Sequence, residues 1–67
     1  MRKLNSQLYI KRKEKRLKQK EVAEMLGIHK QSYYLKENGK REFTISEAKK
    51  LAKIFDCTLD ELFGKEN

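Results

Sequence analysis

Lys30, Gln31 and Tyr34 fall on one face of a short helical stretch, and their side chains suit one kind of chemistry, the reading of base edges. A glutamine amide pairs bidentately with adenine, and a lysine ammonium donates to guanine. Tyr34 and Leu35 suit a thymine methyl or the sugar–phosphate backbone. The plainer alternative for this face is a generic solvated helix surface. No other chemistry is visible. Asp56, Asp60 and Glu61 read as caps and surface charges, and no nucleophile–base set or phosphate-binding glycine loop occurs. His29 has no second His or Cys at ligand spacing. No enzyme activity, cofactor or metal is therefore expected.

Two short helices joined at Gly27 must position these residues, Gln19–Leu26 and Lys30–Glu37, with Ile28 plugging the corner. That is the form of a helix-turn-helix, whose second helix lies in the DNA major groove. On the second of these helices Tyr33 and Glu37 share the inward face by i, i+4 spacing. Val22, Ala23 and Leu26 face in from the first.

Three further helices complete an all-α reading. One begins at Asn5 or Ser6, either a good N-cap, and runs to about Lys15, with Leu4, Leu8, Arg12 and Lys15 as its inward stripe. Thr44-Ile45-Ser46-Glu47 is a capping box that opens a helix to about Phe55, with Ile45, Ala48, Leu51, Ala52 and Phe55 as its apolar face. Thr58-Leu59-Asp60-Glu61 repeats the device before a one-turn helix carrying Leu59, Leu62 and Phe63. Asn38-Gly39 reads as a helix end, because alternating strand sequence is missing on both sides.

Composition agrees with this. Sixty-seven residues suit one small domain, 1–67, with a core that is marginal unless idealised or paired. The absence of proline and the presence of only three glycines favour helices over a turn-rich sheet. The net charge of +7 is uneven: residues 1–20 hold nine Lys/Arg against one Glu, whereas 42–67 carry −2. A basic domain with an acidic far end suits a polyanion, the bland alternative being lysines kept for solubility. The single Cys57 cannot form an internal disulfide and points to a reducing compartment. No apolar run approaches the ~20 residues of a membrane span, and the start lacks a signal-peptide core. A cytoplasmic location is expected.

The segments Leu17-x-Gln19-x-Glu21-Val22-Ala23-x-x-Leu26-Gly27-Ile28 and Gln31-Ser32-Tyr33-x-x-x-Glu37-Asn38-Gly39-Lys40-Arg41, with Leu51-Ala52-Lys53-Ile54-Phe55 and Leu59-Asp60-Glu61-Leu62-Phe63, resemble the phage-repressor and Cro-like helix-turn-helix family of bacterial and phage regulators. The resemblance spans about residues 4–63 and implies a compact five-helix lambda-repressor-like DNA-binding domain. The Tyr33-Tyr34 pair and the 40–44 connection are similar to those of regulators from Gram-positive bacteria and their phages. By resemblance, Lys30, Gln31 and Leu35 fall where the family reads bases. Gln19 matches the glutamine that bonds a phosphate and buttresses the recognition helix. Asn38, Lys40 and Arg41 match the loop that tracks the backbone, with Lys18, His29 and Ser32 as further phosphate contacts. Arg12 and Glu37 match a buried ion pair between the first and third helices.

Three positions depart from the family pattern: Lys18 replaces the usual Ser, Thr or Asn cap, Arg16 stands where glycine is common, and Lys36 takes a position that is usually apolar. The expectation is a transcriptional regulator, a repressor acting on double-stranded DNA as a homodimer, with Ile54, Leu59, Leu62 and Phe63 at the interface; the rival reading is that these four only close the monomer's core and that dimerisation occurs on DNA. No small-molecule effector is expected. The alternative is a helix-turn-helix module used for protein contact, as in an antitoxin or anti-repressor partner.

Overall fold

A computed structural model of the chain describes residues 5–64. Five α-helices follow one another: α1 (Ser6–Glu14), α2 (Gln19–Leu26), α3 (Lys30–Glu37), α4 (Ile45–Ile54) and α5 (Leu59–Phe63). The architecture is all-α, as the caps and periods predict, and no strand occurs among the described residues. Leu4, expected in the first inward stripe, lies outside the described residues.

The core is one cluster. Leu8 from α1, Val22, Ala23 and Leu26 from α2, Tyr33 from α3, Leu51 and Phe55 from α4 and its C-cap, and Leu62 from α5 are all buried. Leu17, Ile28, Phe43, Ala52, Ile54, Cys57 and Phe63 pack around them. Phe43, in the α3–α4 connection, lies with its ring centroid 5.9 Å from that of Tyr33 and 5.8 Å from that of Phe63. Such tilted ring pairs add to the area they bury. Ala48, expected on the inward face of α4, is half-buried and outside this cluster, and two other expected inward residues are at the surface. Lys15 is exposed, because α1 has ended and the chain has turned before it can face inward. Ile45 is 73% exposed, because the first helical position of α4 projects beyond the edge of the core.

The helix ends explain how so short a chain folds so sharply. Each of the first four helices closes with paired backbone bonds of the Schellman type, one reaching back five residues and one reaching back three. At α2 these are Ile28 N–H to the Ala23 carbonyl, 3.0 Å, and Gly27 N–H to the Glu24 carbonyl, 3.1 Å. The motif needs a left-handed residue, and Gly27 (φ 76°) and Gly39 (φ 78°) provide it after α2 and α3. After α1 and α4 the same role falls to Arg16 (φ 57°) and Asp56 (φ 51°). An Asp tolerates this region, whereas an Arg there costs roughly 1 kcal/mol. Arg16 therefore closes the end of α1 under strain.

The N-termini follow the sequence closely at two of five positions. Thr44 Oγ1 accepts the Glu47 N–H at 3.0 Å while Glu47 Oε1 accepts the Thr44 N–H at 3.0 Å, and Thr58 and Glu61 repeat the exchange. At α2 only half a box forms. Glu21 Oε1 accepts the Lys18 N–H at 2.8 Å, but the Lys18 ammonium, having no acceptor, leaves the Glu21 N–H to the Lys18 carbonyl. Asn5 holds the cap position of α1 without capping it. Its amide donates to the Lys36 carbonyl at 2.8 Å and its N–H to the Glu37 carbonyl at 3.0 Å. Both carbonyls lie in the last turn of α3, where the Lys36 carbonyl also accepts the Gly39 N–H at 3.1 Å, so Asn5 ties the start of the fold to the end of α3.

Candidate nucleic-acid interface

The face of α3 that turns inward is anchored by three side chains meeting at one carboxylate. Glu37 is 1% exposed. Its Oε2 accepts from Arg12 Nε at 2.9 Å and from the Tyr33 hydroxyl at 2.9 Å; its Oε1 accepts from Arg12 Nη2 at 3.1 Å and from Gln19 Nε2 at 2.8 Å. Arg12 Nη1 donates to the Leu17 carbonyl at 2.9 Å, which fixes the α1–α2 turn to the same cluster. A bidentate guanidinium–carboxylate pair with its remaining hydrogen-bonding capacity used is the geometry in which buried charges are tolerated. Hydrogen bonding to Glu37 raises the Arg12 pKa against the opposing effect of burial. Burial and the neighbouring Glu37 charge push the Tyr33 phenol far above its ordinary value, so its proton stays available to donate. No buried side-chain nitrogen or oxygen among the described residues lacks a partner.

With α3 held from inside, its other face is open. Lys30 and Gln31 are exposed and Tyr34 is 43% exposed. Ser32 and Leu35 are half-buried, and Leu35 is not among the side chains packed on the core. Lys36, placed at a usually apolar position, lays its stem inward and ends 2.7 Å from Glu47 Oε1, with its ammonium 5.9 Å from the Phe43 ring centroid. Burial opposes ionisation of Glu47, but hydrogen bonds from Lys36 and Thr44 outweigh it and hold its carboxyl below the usual range. This bond joins the recognition helix to α4. Glu47 reads from the sequence as a cap alone, yet one of its oxygens serves both the Thr44 N–H and the Lys36 ammonium.

The flanking residues sort by what their side chains already do. Lys18, Lys40 and Arg41 are exposed. Gln19 uses its amide to brace Glu37. Asn38 Nδ2 donates to the Tyr34 carbonyl at 2.8 Å, closing the end of α3. His29 occupies the N-cap position of α3, but its side chain makes no capping bond.

Leu62 is 3% exposed and belongs to the core of the single chain, which removes it from the surface where an interface was expected. Ile54 and Phe63 are half-buried and Leu59 is 40% exposed. The exposed Ile45 and Leu59 line one open hollow together with Asn5, Arg41, Phe43 and Phe63. Sequence periodicity counted Ile45 as core and so missed it as surface.

A buried brace behind a helix whose outer face carries Lys, Gln and Tyr is an arrangement for presenting side chains to a groove. The family model described as Helix-turn-helix matches residues 8–62, and the chain belongs to this helix-turn-helix family. Over 55 residues, 82% of the chain, it is 40% identical to the HTH-type transcriptional regulator AnsR of Bacillus subtilis (strain 168). The chain spans about half the length of that relative, 47%. The crystal structure of the restriction-modification controller protein C.AhdI from Aeromonas hydrophila superposes with a TM-score of 0.78 at 29% identity, covering 88% of this chain and 89% of that one. No helix among the described residues is long and apolar enough to cross a membrane.

Proposed function

We propose that the chain is a sequence-specific repressor that acts in the cytoplasm, reads the major groove with α3, and works as a two-fold dimer on a pseudo-palindromic operator. One observation carries the reading. The Arg12–Glu37–Tyr33–Gln19 cluster anchors the inner face of α3 and leaves Lys30 and Gln31 outward in its N-terminal half, the part that meets base edges in this motif, with Tyr34 next along. Gln31 pairs with adenine and Lys30 with guanine, while Tyr34 and Leu35 supply contacts to a thymine methyl or the backbone. Lys18, Gln19, His29 and Ser32 hold phosphates on one side of the helix, and Asn38, Lys40 and Arg41 on the other.

A single short helix reads few base pairs, so two copies are needed for an address of useful length. Ile45, Leu59 and Phe63, with Ile54 at the margin, form the pairing face. Half-sites then lie roughly 34 Å apart. Repression follows from occupying promoter DNA. Selection of bound duplexes from a random pool tests this reading. An inverted repeat with half-site centres about one helical turn apart is the expected product; a pool with no enriched sequence contradicts it.

A further inference from the structure

We infer that Lys36 and Glu47 are a positioning pair for DNA reading: their bond, acting with the Glu37 brace, fixes the rotation of α3 about its own axis and so aims Lys30, Gln31 and Tyr34. The inference rests on the reading of α3 as the recognition helix and deepens it. Lys36 and Glu37 are consecutive, so their side chains leave the helix about 100° apart. Glu37 is bonded to Arg12 on α1 and to Gln19 at the start of α2. Lys36 Nζ is bonded to Glu47 Oε1 on α4 at 2.7 Å, the one side-chain hydrogen bond between α3 and α4 among the described residues. A single tie leaves a helix free to turn about the tied point. Two ties in different directions, to different elements, do not.

The surroundings of the bond suit direction more than strength. The two side chains are 12% and 14% exposed, so both charges give up most of their hydration to meet. Desolvation then offsets much of the Coulombic gain, and a neutral pair of similar volume would hold the fold about as well. Such a pair would lack direction, since burial of apolar area is non-directional whereas a hydrogen bond weakens steeply off its axis. Both partners are held independently of each other. Glu47 Oε1 also accepts the Thr44 N–H at 3.0 Å while Thr44 Oγ1 accepts the Glu47 N–H, so the start of α4 orients the carboxylate. The Lys36 carbonyl accepts from Asn5 Nδ2 at 2.8 Å and from the Gly39 N–H at 3.1 Å. Side chains end roughly 5–6 Å from a helix axis, so a turn of about 15° shifts them by roughly 1.5 Å. Groups that must meet a ligand tolerate about 0.5 Å.

The double variant Lys36→Met/Glu47→Gln tests this. It keeps the volume of both side chains, an acceptor for the Thr44 N–H and the net charge of +7. Fluorescence anisotropy compares the selected operator with a scrambled duplex of the same composition, at a temperature where circular dichroism shows both proteins folded. With net charge matched, the scrambled duplex should bind within about twofold of the parent. The operator should bind at least about tenfold more weakly, and the ratio of the two affinities should fall with it. Lys36→Arg, which keeps a charged donor for Glu47, should retain most of that ratio. A double variant that keeps the parent's ratio, weakens both duplexes equally or fails to fold overturns this inference alone. A Lys36→Arg protein as unselective as the double variant overturns it too. A parent that itself shows no preference between duplexes overturns the regulator reading, and the inference with it.

Discussion

Glu37 accepts four hydrogen bonds from three side chains, which tie α3 to α1 and to the start of α2. Removing one partner leaves a buried charge uncompensated. Arg12→Met should therefore lower stability by about 3–5 kcal/mol, read as a fall in the urea midpoint with unchanged cooperativity. A loss below about 1 kcal/mol, the range of exposed pairs, would show that the cluster is solvated. Glu47 offers a graded test at a half-buried position. Because its folded carboxyl titrates below the usual 4.5, its contribution is complete above that value and drains as pH falls through the folded one. Glu47→Gln keeps an acceptor for the Thr44 N–H but loses the charge that faces Lys36. It should cost about 1.5–3 kcal/mol at neutral pH and less in acid, in urea titrations at about pH 7 and at a pH below the folded carboxyl's own titration. An equal cost at both would remove any role for the ion pair.

Among the elements, the helices are short and their ends do much of the work of folding. Arg16→Gly should raise stability by up to about 1 kcal/mol, since glycine adopts the left-handed conformation without steric cost. A thermal midpoint that falls would mean the arginine side chain makes a compensating contact. The element boundaries were legible because their signals are local: two Thr-x-x-Glu boxes, Gly27 as a terminator, and apolar residues three and four apart. Tyr33 and Glu37 were equally legible as one inward face. What was not legible depends on partners distant in sequence. Nothing near Asn5 reveals that its amide reaches the carbonyl of Lys36, and nothing near Phe43 reveals that it wedges between Tyr33 and Phe63. Ile45 and Leu62 exchange their expected places for the same reason. Periodicity gives the face of a helix, not whether its first turn overhangs the core or its last is swallowed by it.

Two tasks are proposed for the described surface. The outer face of α3 is proposed to face DNA; Ile45, Leu59 and Phe63 are proposed to face a second copy. Ile45→Glu should leave the fold intact, since the residue is 73% exposed, yet abolish pairing by placing two carboxylates across the two-fold axis. Sedimentation should then show a monomer at concentrations where the parent is a dimer, and operator binding should lose its cooperativity. A variant that sediments as the parent does would move the interface elsewhere. Everything proposed for this surface depends on α3 reading base edges. The affinity of Gln31→Ala for the selected operator, set beside its affinity for a scrambled duplex of the same composition, tests that dependence. The expected result is a loss of about 1–3 kcal/mol on the operator alone, with preference relaxed at one base position. An equal loss on both duplexes would mean that Gln31 does not read a base.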